Sequence, residues 1–197
     1  DPPYGVNYGA TMKDKLRGQT RKIANDNLGD DFGPFLRDAC VNMLAVTKGA
    51  IYICMSSSQL HTLHRAFTEA GGHWSTFVIW AKNTFTMGRS DYQRQYEPIL
   101  YGWKEGIDHF WCGARDQGDV WFIKKPHVND LHPTMKPVEL VERAIRNSSK
   151  LSICHFEEIR TIPHRKGIII YTTNLVIFSF ITSKNIKTKK FITNIFK

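Results

Sequence analysis

The sequence predicts an α/β fold, an open sheet with helices on both faces. Three observations carry this. Ala50–Met55 (A-I-Y-I-C-M) is a short, continuously apolar run, as expected for a buried parallel strand. Phe32, Phe35, Leu36, Ala39, Cys40, Met43 and Leu44 before it recur at helical spacing, and Leu60, Leu63, His64 and Phe67 after it share one helix face. Helix and strand therefore alternate, which places helices over a sheet.

The chain opens on Asp1-Pro2-Pro3-Tyr4. Proline fixes φ and has no N–H, so the carbonyls of Asp1 and Pro2 are not absorbed by a local helix. A residue before proline is held extended, so Asp1 is expected at the end of a strand. Gly5–Asp31 is polar and reads as a long mobile loop that closes over a site. Asp30 or Asp31 is expected to cap the first helix, which Gly49 stops. Ser56–Ser58 caps the second, which ends at Gly71-Gly72. Trp74–Ala81 and Tyr96–Gly102 read as strands, joined by the polar Asn83–Arg94. Trp103–Leu131 interleaves Trp103, Trp111 and Trp121 with Lys104, Arg115, Lys124 and Lys125. Such a mixture suits phosphates and a base stack, or a small hairpin appendage with its tryptophans packed inward. Pro137 suits a first helical turn, and Val138, Leu140, Val141, Ala144 and Ile145 form the buried stripe of the helix that follows.

Charge is unevenly spread over the 197 residues. Residues 1–150 carry 19 Lys/Arg against 16 Asp/Glu, whereas 151–197 carry 8 against 2, so most of the net +9 lies in the last quarter. It is therefore a poor guide to what the main domain binds. Residue 1 is Asp rather than Met, and a start inside a longer protein is expected. Cys40, Cys54, Cys112 and Cys154 are scattered without metal-ligand spacing. Buried thiols in a reducing cytoplasm are expected, and no metal site. No signal peptide is read at the start.

Asp1–Tyr4 combines a carboxylate, a free carbonyl and a ring face. The set suits a planar group bearing an amine, with two acceptors for its N–H bonds and a ring to stack on. Adenine and cytosine both have that form. The plainer alternative is a Pro-rich turn with a surface tyrosine.

D-P-P-Y at 1–4, W-A-K-N at 80–83, Y-E-P-I-L at 96–100 and H-P-T-M-K-P at 132–137 occur in that order. Together they resemble the amino-methylating DNA methyltransferases in the permuted arrangement called the β class. The resemblance covers Asp1 to about Lys150. It implies a partial S-adenosylmethionine-dependent methyltransferase sheet of Rossmann-like form, acting on double-stranded DNA in the cytoplasm of a bacterium or from a phage. It further implies that Asp1 and the Pro2 carbonyl hold the amine of a flipped base, with Pro3 rigidifying the turn and Tyr4 stacking on the base. His132, Thr134, Lys136 and Pro137, with Asp1, would line the cofactor pocket. Lys82, Arg89, Arg94, Arg115 and Lys124 are candidate DNA contacts. D-P-P-Y is more typical of N6-adenine enzymes. N4-cytosine chemistry, and a remnant that at most binds DNA, are the alternatives.

The family's Gly-rich D-P-F-x-G-S-G turn, which cradles the cofactor's methionine end, is missing. Residues 151–197 hold one glycine, Gly167, and are dominated by Ile, Lys, Thr, Phe, Asn and Tyr. The expected organisation is a catalytic half over 1–150, with a small target-recognition segment at about 103–131 and a tail over 151–197 that leaves the family's frame. Ile168–Ile181, about fourteen residues with polar interruptions, is short of the ~20 needed to span a bilayer. An apolar sheet edge and face are expected to lie open beside the strand that ends in Asp1–Tyr4. Low stability and solubility follow, and Ile168–Ile181 is expected to pair at that edge.

Overall fold

The computed structural model describes residues 2–8, 23–88, 90–126 and 136–149, together with the strand backbones of 160–164, 167–172 and 175–179. Three α-helices are described: α1 (Phe32–Val46), α2 (Leu60–Glu69) and α3 (Val138–Ser148). The strands are β1 (Ala50–Cys54), β2 (Gly72–Thr86), β3 (Arg94–Lys104), β4 (Val120–Phe122), β5 (Arg160–His164), β6 (Gly167–Thr172) and β7 (Leu175–Ser179). They form one sheet in the order β4-β2-β3-β1-β7-β6-β5. Among the described residues no helix is long and apolar enough to cross a membrane.

The α/β expectation holds, but the sheet is mixed. β1 and β2 both run antiparallel to β3, and β1 is parallel only to β7. The reason is the connection between β2 and β3. Residues 87–93 are too few for a crossover, which takes a dozen or more, so these two strands can only form a hairpin.

Each face of the sheet is buried by helices at the period of the pleat. Ile53, Leu100 and Phe77 lie in register on one face, against Leu36 and Cys40 of α1 and Leu63 and Phe67 of α2. Tyr52, Tyr101, Val78, Trp80 and Trp121 point to the other face, where α3 supplies Leu140 and Ala144. α2 ends as expected, at Gly71 with φ +88°. Two cap expectations need correction. Asp30 and Asp31 form a 3-10 turn with Gly29, and no side-chain cap bond is made at α1. Pro137 sits just before α3 in extended geometry rather than inside its first turn. The stripe of α3 is also narrower than expected, since Val138 is exposed.

The tail meets the sheet. β7 pairs with β1 through Ala50–Leu175, Ile51–Val176 and Tyr52–Ile177, and β6 and β5 continue antiparallel beyond it. The segment pairs at the β1 edge and not beside a strand ending in Asp1–Tyr4, which the described residues do not form.

At the opposite end of β3, backbones approach closely. A bulge shifts the β2–β3 register between Trp74 and Thr76, beside Gly102. A Cβ at Gly102 would run into the His73 carbonyl oxygen and lie 2.8 Å from the Phe67 ring. Neither neighbour can yield easily, because one is backbone and the other is a fully buried ring. Gly102→Ala should therefore destabilise the fold by about 1–3 kcal/mol, read as a lower denaturant midpoint with an unchanged slope.

Candidate active site

Pro2 and Pro3 are buried and Tyr4 is half-buried against the α1–α2 core. They form no strand, so the expected strand end is not seen in the described residues; Asp1 lies outside them. The chain after them is not a free loop at its start. Gly5 at φ +64° and Asn7 at φ +52° turn successive backbone N–H groups inward. The Asp26 carboxylate receives them: Tyr4 N donates to Oδ1 at 2.8 Å, Val6 N to Oδ1 at 3.4 Å and Tyr8 N to Oδ2 at 2.6 Å. Asn7 N also donates to the Asp26 carbonyl at 2.8 Å. Asp26 is 2% exposed, so water cannot replace it. A carboxylate in a ring of backbone donors is a strong arrangement, because charged acceptors make the tighter hydrogen bonds.

The other end of Tyr4 is also fixed. Its hydroxyl donates to Glu97 Oε1 at 2.5 Å and accepts from Lys136 Nζ at 2.8 Å. Lys136 Nζ also lies 2.8 Å from Glu97 Oε1, and Lys82 Nζ lies 3.1 Å from Glu97 Oε2. Side-chain exposures of 8% for Lys136, 12% for Glu97 and 14% for Lys82 make this an interior cluster. Strand register explains the meeting. Trp80 pairs with Glu97 across β2 and β3, and Lys82, two residues on, shares that face. Lys82 Nζ also stands 4.5 Å from the Trp80 ring centroid, and Lys136 Nζ 5.1 Å from that of Tyr4.

The cluster sets the protonation of its members. Burial pushes the Glu97 carboxyl up, but the Lys136 and Lys82 ammonium groups outweigh it and hold the group down at about 2. Burial, reinforced by Glu97, pushes the Tyr4 phenol well above its ordinary value. Tyr4 is therefore a neutral donor and Glu97 a carboxylate, and Glu97 has too little proton affinity to serve as a general base near neutral pH.

The remaining candidates are placed as follows. Pro137 is buried before α3 and Lys136 is committed to the cluster. His132 and Thr134 lie outside the described residues, as does Arg89. The described members of the cofactor set therefore make no cradle for S-adenosylmethionine on their own. Lys82 is placed inside the cluster. Arg94, Arg115 and Lys124 are exposed at the start of β3, in the β3–β4 connection and just after β4. Of the tryptophans, Trp121 is buried on β4, and Trp103 stacks on His109 at 3.6 Å and His73 at 4.7 Å. Trp111 is 38% exposed. Sequence reasoning missed Asp26 and Glu97. Glu97 had a signal, an acid inside an apolar strand run, since such a residue is seldom buried unless paired. Among the described residues no group of three or more His, Cys, Asp or Glu side chains could hold a metal ion.

No family model and no curated protein matches the chain. Among solved structures it is similar to the M1.HpyAVI–SAM complex, with 22% identity and a TM-score of 0.44 over 52% of this chain and 53% of that one. It is also similar to M1.HpyAVI, with 19% identity and a TM-score of 0.37 over 52% and 51%. The chain spans about half the length of these structures, and at such identities and TM-scores the likeness carries no functional weight.

Two predictions follow from the cluster. Glu97→Gln leaves two buried ammonium groups without their counter-charge and should cost about 3–5 kcal/mol, roughly 10 °C in Tm by calorimetry. The wild-type chain should lose the Glu97 contribution as pH falls from the unfolded carboxyl value of about 4.3 towards 2. It should lose the Tyr4 contribution as pH rises above about 10, because the phenol ionises more readily unfolded. In urea titrations across pH, Glu97→Gln should flatten the acid limb.

Proposed function

We propose that this chain carries the base-accepting half of an S-adenosylmethionine-dependent DNA methyltransferase that acts on the N6 amine of adenine. The observation that carries the reading is convergence. Tyr4, Lys82, Glu97 and Lys136 come from four separate sequence motifs, and they meet in one buried cluster beside the D-P-P-Y turn. Segments that keep such a group in place over 132 residues of separation are organised around that turn.

In this reading the Tyr4 ring receives a flipped adenine, and the Asp1 carboxylate and Pro2 carbonyl accept its two amine N–H bonds. Holding the amine so draws its lone pair out of ring conjugation and makes it a better nucleophile. S-adenosylmethionine supplies the electrophilic methyl group. The Asp1 carboxylate is the group placed by the reading to take the proton that the methylated amine releases. Lys136 serves the tyrosine rather than the cofactor, and exposed Arg94, Arg115 and Lys124 supply phosphate contacts. One sequence observation favours a second reading, in which the chain binds DNA without transferring methyl: residues 151–197 hold a single glycine where a Gly-rich cofactor turn is needed.

The test is incubation with methyl-labelled S-adenosylmethionine and mixed-sequence duplex DNA, followed by digestion to nucleosides, with equilibrium dialysis of the cofactor in parallel. The expected product is N6-methyladenine, abolished by Tyr4→Ala. N4-methylcytosine would move the substrate to cytosine. No cofactor binding would establish the second reading.

A further inference from the structure

We propose that Glu97 is a positioning residue for Tyr4: by accepting the hydroxyl's hydrogen bond it fixes where the ring on which the base stacks is held. The inference rests on the base-accepting reading and gives Glu97 a role which that reading leaves unassigned.

A tyrosine ring has two torsions to settle, at χ1 and χ2. In this chain the residue is held at both ends. Its N–H is bound by Asp26 at 2.8 Å, which holds the backbone, and its hydroxyl by Glu97 at 2.5 Å, which fixes where the far end of the ring lies and so its χ1; because a phenol O–H prefers the ring plane, the same bond biases χ2. Glu97 can do this only as an acceptor. Lys136 and Lys82 keep it so, one on each carboxylate oxygen, and neither can reorient without abandoning the carboxylate in a buried site. The strand supplies the rigidity. Glu97 precedes Pro98, Ile99 and Leu100, all buried in β3, an interior strand paired on both sides, so the carboxylate cannot follow a moving ring. A ring ordered in advance spares the ligand the entropy of immobilising it, and this raises affinity without a new contact.

A residue that only stabilises the fold would behave differently, and Tyr4→Phe separates the two roles. That substitution keeps the ring and both lysine–glutamate pairs, so the charged cluster is retained, but it removes the hydroxyl's bonds to Glu97 and Lys136. The probe is adenosine, with uridine as control, followed by saturation-transfer NMR on the full chain. Wild type should favour adenosine. Tyr4→Phe should weaken adenosine about three- to ten-fold. Adenosine binding by Tyr4→Phe equal to wild type, with loss in Tyr4→Ala, would overturn the positioning role and leave the base site standing. Equal binding of adenosine and uridine by wild type, or undiminished adenosine binding by Tyr4→Ala, would overturn the base site and the inference together.

Discussion

One buried carboxylate, that of Glu97, decides whether this arrangement exists. Two charges about 3 Å apart attract strongly when water is kept from them, but each loses its hydration on burial, and the two effects are of similar size. The cluster holds because Glu97 is fully used: Lys136 and the Tyr4 hydroxyl take one oxygen, and Lys82 takes the other. Removing any lysine leaves a carboxylate with one counter-charge, whereas removing Glu97 leaves two repelling ammonium groups in the interior. The dependence is therefore asymmetric, and it runs through the acid. Two segments far from β3 in the chain, those of Tyr4 and Lys136, meet it at this one side chain, while Lys82 arrives on the neighbouring hairpin strand.

Asp26 works on the backbone what Glu97 works on side chains. It binds three N–H groups that a turn with two left-handed residues would otherwise leave unpaired. Gly5 is held there by space as well as by φ, since a Cβ would meet the Phe32 ring at 3.1 Å. Between them the two acids grip Tyr4 at its amide and at its hydroxyl. The proline pair ahead of it adds stiffness without donors. The result is a short segment, neither helix nor strand, whose geometry comes from charge rather than from regular hydrogen bonding.

The sheet and helices were legible because they follow period. A-I-Y-I-C-M is buried on both faces as its composition demands, and the stripe of α2 coincides with Leu63 and Phe67. Strand direction was not legible, because it was decided by the seven-residue β2–β3 connection, a matter of reach rather than of pattern. The candidate site was legible only by motif. Tyr4 stood out through its neighbours, but its partners lie 22 and 93 residues away, and a pair with one member in a polar stretch leaves no periodic trace. Lys136 is a cofactor contact only by the family resemblance, which carries no information about the acid and the tyrosine that the fold brings to it. Its actual partners are the tyrosine and the acid.

The tail shows why completing a sheet and completing a site are separate achievements. β7 joins β1 through backbone groups, which every residue except proline can offer, and Ile-rich sequence favours extended chain in any frame. Edge pairing is thus nearly blind to sequence. A cofactor cradle is the opposite case. It needs glycines at chosen positions so that backbone N–H groups can close on the ligand. A segment with one glycine can extend the sheet beyond β1 on backbone groups alone. Sheet extension and side-chain convergence thus rest on different demands, the first met by backbone pairing and the second by Tyr4 and its two acids.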